Sequence, residues 1–375
     1  FKGKAMTYYG RWMYKYEEAA RQGAAACLIV HDTEAAAYPW SVVANSWSGP
    51  QFDLPASEDP DPRLLVAGWI TTDAAKRLFA GAGADFDALK KSADLRGFKA
   101  SPLAAKASVH FANTIHNTES NNVVALLPGS TRPDEVLVYS AHWDHLGKAD
   151  SGTGDRIYNG AIDNGSGLAT LLELADAFAH QDPRPQRSIL FFAPTLEESG
   201  LLGSRYYSVH PLVPLARTVA DINMDAIVPI GRTHDMAVLG SGQSQMDDYL
   251  KDALAAQQRT IAPDEEPEKG YFYRSDQLHF ARKGVPVLYA HTGYDKLDGG
   301  KAAGHAAYDD YTRNHYHTPK DEYDPHWDLS GTIEDIQALY AVGKRIADET
   351  TFPQWAPDSE FRAAHDALMK APAKH

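Results

Sequence analysis

From residue 123 to residue 346, short apolar runs alternate with helical patterns, and this alternation restricts the possible folds more than any other feature. Residues 123–127 and 136–140 read as apolar strands joined by a turn at Pro128-Gly129. Residues 188–193, 219–224 and 285–290 read as further buried strands. Leu168, Leu171, Leu172, Ala175 and Phe178 share one helical face, and Ile333, Ile336, Leu339, Tyr340 and Ile346 mark a closing helix. Strands alternating with helices predict an α/β fold, a largely parallel sheet covered on both faces. In such sheets, chemistry gathers at the carboxyl ends of the strands.

The first 105 residues have a different texture and read as a separate small α/β unit. Residues 14–21 look helical and stop at Gly23. Residues 24–30 form a continuous apolar run, read as a buried strand with Cys27 as a packed core thiol. Residues 48–62, rich in Pro, Asp and Ser, read as a surface loop. Residues 64–70 read as a second strand, and Thr72 as the cap of a helix through Phe79. The expected organisation is 1–105, 106–352, and a tail over 353–375.

Charge narrows the function. Fifty Asp+Glu against 36 Lys+Arg give a net charge of −14. Such a surface argues against a nucleic-acid partner and against a polybasic membrane anchor. No apolar run approaches the roughly 20 residues that span a bilayer, so no membrane insertion is expected. A single cysteine excludes an internal disulfide. The chain opens at Phe1, with neither an initiator Met nor a signal-like segment, and reads as processed or truncated.

Metal-ligand residue types recur at the predicted strand ends. His142, Asp144 and His145 follow strand 136–140. Asp163-Asn164-Gly165 precedes the amphipathic helix, Glu197-Glu198 follows strand 188–193, and Asp225 follows strand 219–224. His317 stands later, in Tyr316-His317-Thr318-Pro319. A lone His is usually structural, Asp-Asn-Gly is a common turn, and a Glu pair is usually a solvated face. Their arrival at one sheet edge makes coincidence a poor explanation. Imidazole and carboxylate suit Zn2+. Two His and three carboxylates are too many for one open tetrahedral site, but they suffice for two metals sharing one carboxylate. Such a pair can hold a hydroxide and polarise a carbonyl. The spare acid of Glu197-Glu198 can then act as general base.

The segments 140–147, 159–167, 197–204, 223–225 and 316–319 resemble the M28 family of zinc aminopeptidases, in order and spacing over about residues 106–350. The resemblance implies a zinc exopeptidase fold with a mixed, largely parallel eight-stranded sheet and two Zn2+ ions. It implies His142 and Asp225 on one zinc, Glu198 and His317 on the other, Asp163 bridging, and Glu197 as general base. Asp144 would be the outer carboxylate that orients His142. A cis peptide is implied at Asp163–Asn164. The reaction implied is hydrolysis of N-terminal peptide bonds of a peptide substrate, by an exported enzyme, periplasmic or extracellular.

Residues 18–30 resemble the start of a protease-associated (PA) domain. Relatives carry a leader and a first piece of the catalytic domain, so the resemblance makes this chain N-terminally truncated, with an apolar face left to be covered. Gln277 departs from the His that often follows Ser-Asp in relatives, and a structural role is expected for Asp276. Asp321 could support His317 or serve a turn. His145, His291, His305, His315 and His326 are read first as plain surface or core residues. Same-fold alternatives are a carboxypeptidase-like enzyme, for which Arg274, Arg282 and Arg313 are carboxylate-binding candidates, and a glutaminyl-cyclase-like enzyme. A receptor-like relative without metals is disfavoured by the intact ligand set. The residues carry no signal for an oligomeric state.

Overall fold

Residues 3–36, 38–47, 50–59 and 61–370 are described by a computed structural model. The chain divides into two units, Phe1–Phe52 with Pro60–Glu119, and Asp53–Asp59 with Ser120–His375.

The first unit contains α1 (Trp12–Arg21), β1 (Ala26–His31), α2 (Thr33–Ala36), α3 (Trp40–Ser46), β2 (Val66–Thr71), α4 (Thr72–Gly81) and α5 (Phe86–Ala93). β1 and β2 pair in parallel, Ala26 opposite Val66 and His31 opposite Thr71. The apolar run expected as a buried strand is half open: in β1 only Ile29 and His31 are buried, and Cys27 is partly exposed. The reason is that β1 has one neighbouring strand, so much of the run lacks cover. Thr71, not Thr72, caps α4, its Oγ1 accepting from the Ala74 N–H at 3.2 Å. Trp12 packs against Trp47 and Trp69, at ring distances of 5.2 and 5.7 Å.

The second unit contains β3 (Val123–Leu127), β4 (Arg132–Ser140), β5 (Gly147–Lys148), β6 (Ile157–Tyr158), α6 (Gly165–Ala179), β7 (Arg187–Ala193), α7 (Leu202–Val209) and β8 (Thr218–Asn223). There follow β9 (Asp235–Val238), α8 (Met246–Ala256), β10 (Thr260–Pro263), α9 (Gln277–Arg282), β11 (Val287–Thr292), α10 (Gly300–Asn314), α11 (Ser330–Asp348) and α12 (Arg362–Lys370). The large sheet runs β10-β9-β11-β8-β4-β7-β3, seven strands among the described residues where the resemblance implied eight. β7, β4, β8 and β11 are mutually parallel, β3 is antiparallel at one edge, and β9 pairs antiparallel with β11. The sheet is mixed, with its parallel part at the centre.

Burial explains the apolar runs. Along β7, Ile189 and Phe191 join Leu137 and Tyr139 under α6, α8 and α11. Phe192, of opposite parity, packs on Tyr207 of α7 and Phe280 of α9. Both faces are covered, so both parities must be apolar. At the β3 edge Val123 and Leu126 remain exposed.

Two sequence expectations change. Residues 353–370 are packed on the second unit, where a tail was expected: Trp355 is 1% exposed, its Nε1 donates to Gly284 O at 3.1 Å, and His365 of α12 lies 2.8 Å from the same oxygen. Within the predicted 48–62 loop, Asp59 is buried and ion-paired with Arg205 of α7, and Glu58 lies 3.0 Å from His210. No described helix is long and apolar enough to cross a membrane.

Candidate metal centre

β7, β4 and β8 are adjacent and parallel, so their carboxyl ends open at one place. His142 leaves β4, Glu197 and Glu198 leave β7, and Asp225 leaves β8. Asp163 precedes α6, where Asn164 caps the helix by accepting from Gly167 N–H at 3.0 Å. Asn164 Nδ2 also donates to Met224 O at 3.0 Å, and its Oδ1 accepts from Ala226 N–H at 3.2 Å. One side chain thus ties the start of α6 to both flanks of Asp225. The Asp163–Asn164 peptide is cis, as the resemblance implied. Leu196, Ala226 and His317 adopt positive φ of 57°, 52° and 55°, an uncommon conformation for residues with a Cβ, and all three lie at or next to site residues.

The six predicted residues converge. His142 Nε2 lies 3.2 Å from Asp163 Oδ1 and 3.2 Å from Asp225 Oδ1. His317 Nε2 lies 3.1 Å from Asp163 Oδ2 and 3.2 Å from Glu198 Oε2. Asp163 therefore offers one oxygen to each histidine. Donors about 2.0 Å from a tetrahedral Zn2+ are separated by roughly 3.3 Å, close to these four histidine-to-carboxylate distances. His145 also approaches: its Nδ1 is 2.6 Å from Glu198 Oε1, and His145, Asp163 and Glu198 form a second candidate cation grouping beside that of His142, Asp163 and Asp225.

Charge within the site is divided sharply. Burial opposes charge on His142, but Asp225, Glu197 and Asp163 outweigh it and hold its pKa well above the ordinary imidazole value. His317 is likewise pushed up to about 10, with Glu198 and Asp163 overcoming burial. Asp163 is held below the usual carboxylate range because both histidines override its burial. In Glu198, burial and Asp163 raise the pKa, but His317 and His145 overcome them and lower it. Glu197 goes the other way: burial, reinforced by Glu198, Asp225 and Asp276, pushes it well above the usual range against the pull of His142.

The supporting contacts differ from expectation in detail. The Asp144 atom nearest His142 Nδ1 is its carbonyl oxygen at 3.0 Å, while its carboxylate is 3.8 Å away. That carboxylate instead accepts from the N–H groups of Glu197 and Glu198, at 3.0 and 3.3 Å. Asp321 supports Asp163 rather than His317, accepting from the Ile162 and Asp163 N–H groups at 2.9 and 3.0 Å. Gln277, unexplained by sequence, is fully buried; it accepts from Asn223 Nδ2 at 2.8 Å and donates to Phe272 O at 2.6 Å. Asp276 is buried beside it. His305 and His315 face Glu265 and Lys320 at the surface, and His326 is exposed. His291 is buried against Thr292 O and Tyr308. Arg274 lies over the Tyr271 ring and donates to Lys269 O at 2.7 Å. Sequence reading named Asn164 in a turn and in the implied cis peptide but gave its side chain no role, and it underweighted His145.

The profile of peptidase family M28 matches residues 122–341. Aminopeptidase NAALADL1 of Mus musculus is 35% identical over 132 residues, which is 34% of this chain and 16% of that protein. A probable zinc metalloprotease of Pyricularia oryzae is 42% identical over 86 residues, 23% of this chain and again 16% of the relative. The chain therefore spans only a small part of the length of these curated relatives. Among solved structures, the aminopeptidase from Aneurinibacillus sp. strain AM-1 has a TM-score of 0.47 at 18% identity, over 91% of this chain and 68% of that one. The zinc aminopeptidase BSAP from Bacillus subtilis has a TM-score of 0.46 at 20% identity, over 61% and 51%. The profile match takes in more than half of the sequence and every candidate ligand, and the chain belongs to peptidase family M28.

Proposed function

We propose that the protein is a two-zinc aminopeptidase that hydrolyses the N-terminal peptide bond of peptides. One observation carries the reading: two histidines each lie 3.1–3.2 Å from a different oxygen of Asp163 and 3.2 Å from a second carboxylate. His142, Asp163 and Asp225 would hold one Zn2+, and Asp163, Glu198 and His317 the other; when bound, the pair would polarise the scissile carbonyl and acidify water.

The chain's own groups do the rest. Asp163 is fixed through its backbone by Asp321, whose carboxylate accepts from the Asp163 N–H. Glu197 has no place in either donor set but follows the same strand as Glu198. A carboxylate beside the ions and outside their donor sets suits the proton shuttle from water to the leaving amine nitrogen. Asp144 holds the backbone of both glutamates and so fixes which one faces the ions. The surplus of carboxylates also favours a substrate α-ammonium over a blocked amine. The first unit is read as PA-like on its α1-to-β1 stretch.

The test is hydrolysis of aminoacyl p-nitroanilides and their N-acetylated forms, with chelator and with zinc restored. Free-amine substrates should be cleaved, blocked ones spared, and activity lost to chelator and regained with zinc. Equal cleavage of blocked substrates would overturn the aminopeptidase reading, and activity surviving complete demetallation would overturn the metal reading.

A further inference from the structure

His145 belongs to neither proposed donor set, yet it is built into the site. Its side chain is 7% exposed, and Nδ1 lies 2.6 Å from Glu198 Oε1. Among the described residues neither ring nitrogen has a hydrogen-bond partner, nor does Glu198 Oε1. Their 2.6 Å approach is thus a close polar contact and not an aligned hydrogen bond. The ring is also fixed from two sides. It meets the His317 ring edge-on at 5.5 Å. On the other side is Gly160, at φ +62°, where a Cβ would fall 2.8 Å from His145 Cγ and 2.3 Å from Asp163 O. Only a residue without a Cβ lets that backbone close over the ring while it supports Asp163.

Two roles are open to such a histidine, and distance separates them. Ligands on one tetrahedral zinc stand roughly 3.3 Å apart. His317 meets that spacing with both of its partners, at 3.1 and 3.2 Å. At 2.6 Å, His145 and Glu198 are too close to flank an ion and at the separation of a direct charge-assisted pair. The contact also divides the carboxylate: Oε1 faces His145, and Oε2 faces His317.

We infer that His145 is a positioning residue for the second metal: the Nδ1 edge of its ring holds Glu198 Oε1 through a close polar contact, so that Glu198 presents Oε2 alone to the ion. This rests on the two-metal reading. Outer partners of ligating carboxylates commonly change metal affinity 10- to 100-fold. The first donor set, His142, Asp163 and Asp225, has no part in the contact, so the effect should fall on one ion of the two.

The experiment is equilibrium titration of metal-free protein with Zn2+ and with Co2+, reading stoichiometry, stepwise affinities and the Co2+ absorption band. Wild type, His145→Ala, His145→Asn and His145→Gln are compared. An Asn amide places its nitrogen near the imidazole Nδ1 position, whereas a Gln amide reaches toward Nε2. His145→Ala and His145→Gln should bind the first equivalent as wild type does and the second about 10- to 100-fold more weakly. His145→Asn should recover most of that loss, which an amide nitrogen could not do as a replacement ligand. Unchanged second-site affinity in His145→Ala, or equal weakening in all three variants, would overturn the positioning role. A wild type that binds one equivalent only would overturn the two-metal reading itself, a separate result. Should His145→Ala fail to fold, the contrast between Asn and Gln decides.

Discussion

At the scale of single residues, Glu197 and Glu198 are adjacent, both held through their backbones by Asp144, and assigned different work. Glu197→Gln should retain both metals and lose about 10²- to 10⁴-fold in kcat, the usual contribution of a general base. Glu198→Gln should lose metal together with activity. Metal analysis beside steady-state kinetics checks the pair, and an emptied site in Glu197→Gln would exchange the two roles. His279 offers a test by pH. It is buried in α9, and burial with Arg282, Arg205 and Lys283 pushes its pKa well below the ordinary value. The unfolded chain takes up a proton below about pH 6.5 that the folded chain refuses, so stability present above that pH is lost as pH falls below it. Urea midpoints at about pH 7.5 and about pH 5.5 should differ less in His279→Gln than in wild type. The candidate ligands His142, Asp163, Glu198 and Asp225 were legible because they follow apolar strands or precede a patterned helix, whereas His317, in the loop after α10, carries no such mark. The atoms were not legible. Sequence names Asp144 as a partner of His142, but whether carbonyl or carboxylate faces the ring depends on how the chain turns after β4.

At the scale of elements, α11 lies on β4 so closely that Gly343 has no room for a side chain. A Cβ there would fall 1.7 Å from the hydroxyl of Tyr139, which donates to Leu339 O at 2.8 Å. Gly343→Ala should therefore destabilise by about 1–3 kcal/mol through overpacking, despite up to ~1 kcal/mol gained in helix propensity. Urea unfolding measures it, and Tyr139→Phe in the same chain should recover part of the loss by removing the colliding oxygen. The central strands were legible because burial on both faces leaves a continuous apolar signature, as in β7. The same signature misled for β1, where the run of apolar residues says nothing about how many strands lie beside it. Gln277 was opaque for a related reason: its partners, Asn223 and Phe272, lie on other elements.

At the scale of the molecule, the division falls at Glu119, where sequence texture suggested 105, and residues 53–59 join the second unit. Composition shifts mark where strands begin, not where a buried Asp59 pairs with Arg205. The proposed site lies wholly within the second unit, so zinc should act on that unit alone. Free zinc at about 1,000 times its dissociation constant should stabilise it by roughly 4 kcal/mol for each ion bound. Two-phase thermal unfolding, with only one phase shifted by zinc, is the expected result; equal shifts of both phases would contradict it. The central claim is that Asp163 joins two metals, and a zinc-soaked crystal measured by anomalous scattering tests it most directly. The account predicts two peaks, each about 2.0–2.2 Å from a different oxygen of Asp163, with His142 and Asp225 on one and His317 and Glu198 on the other. A single peak, or a His317 more than about 5 Å from any ion, would contradict it.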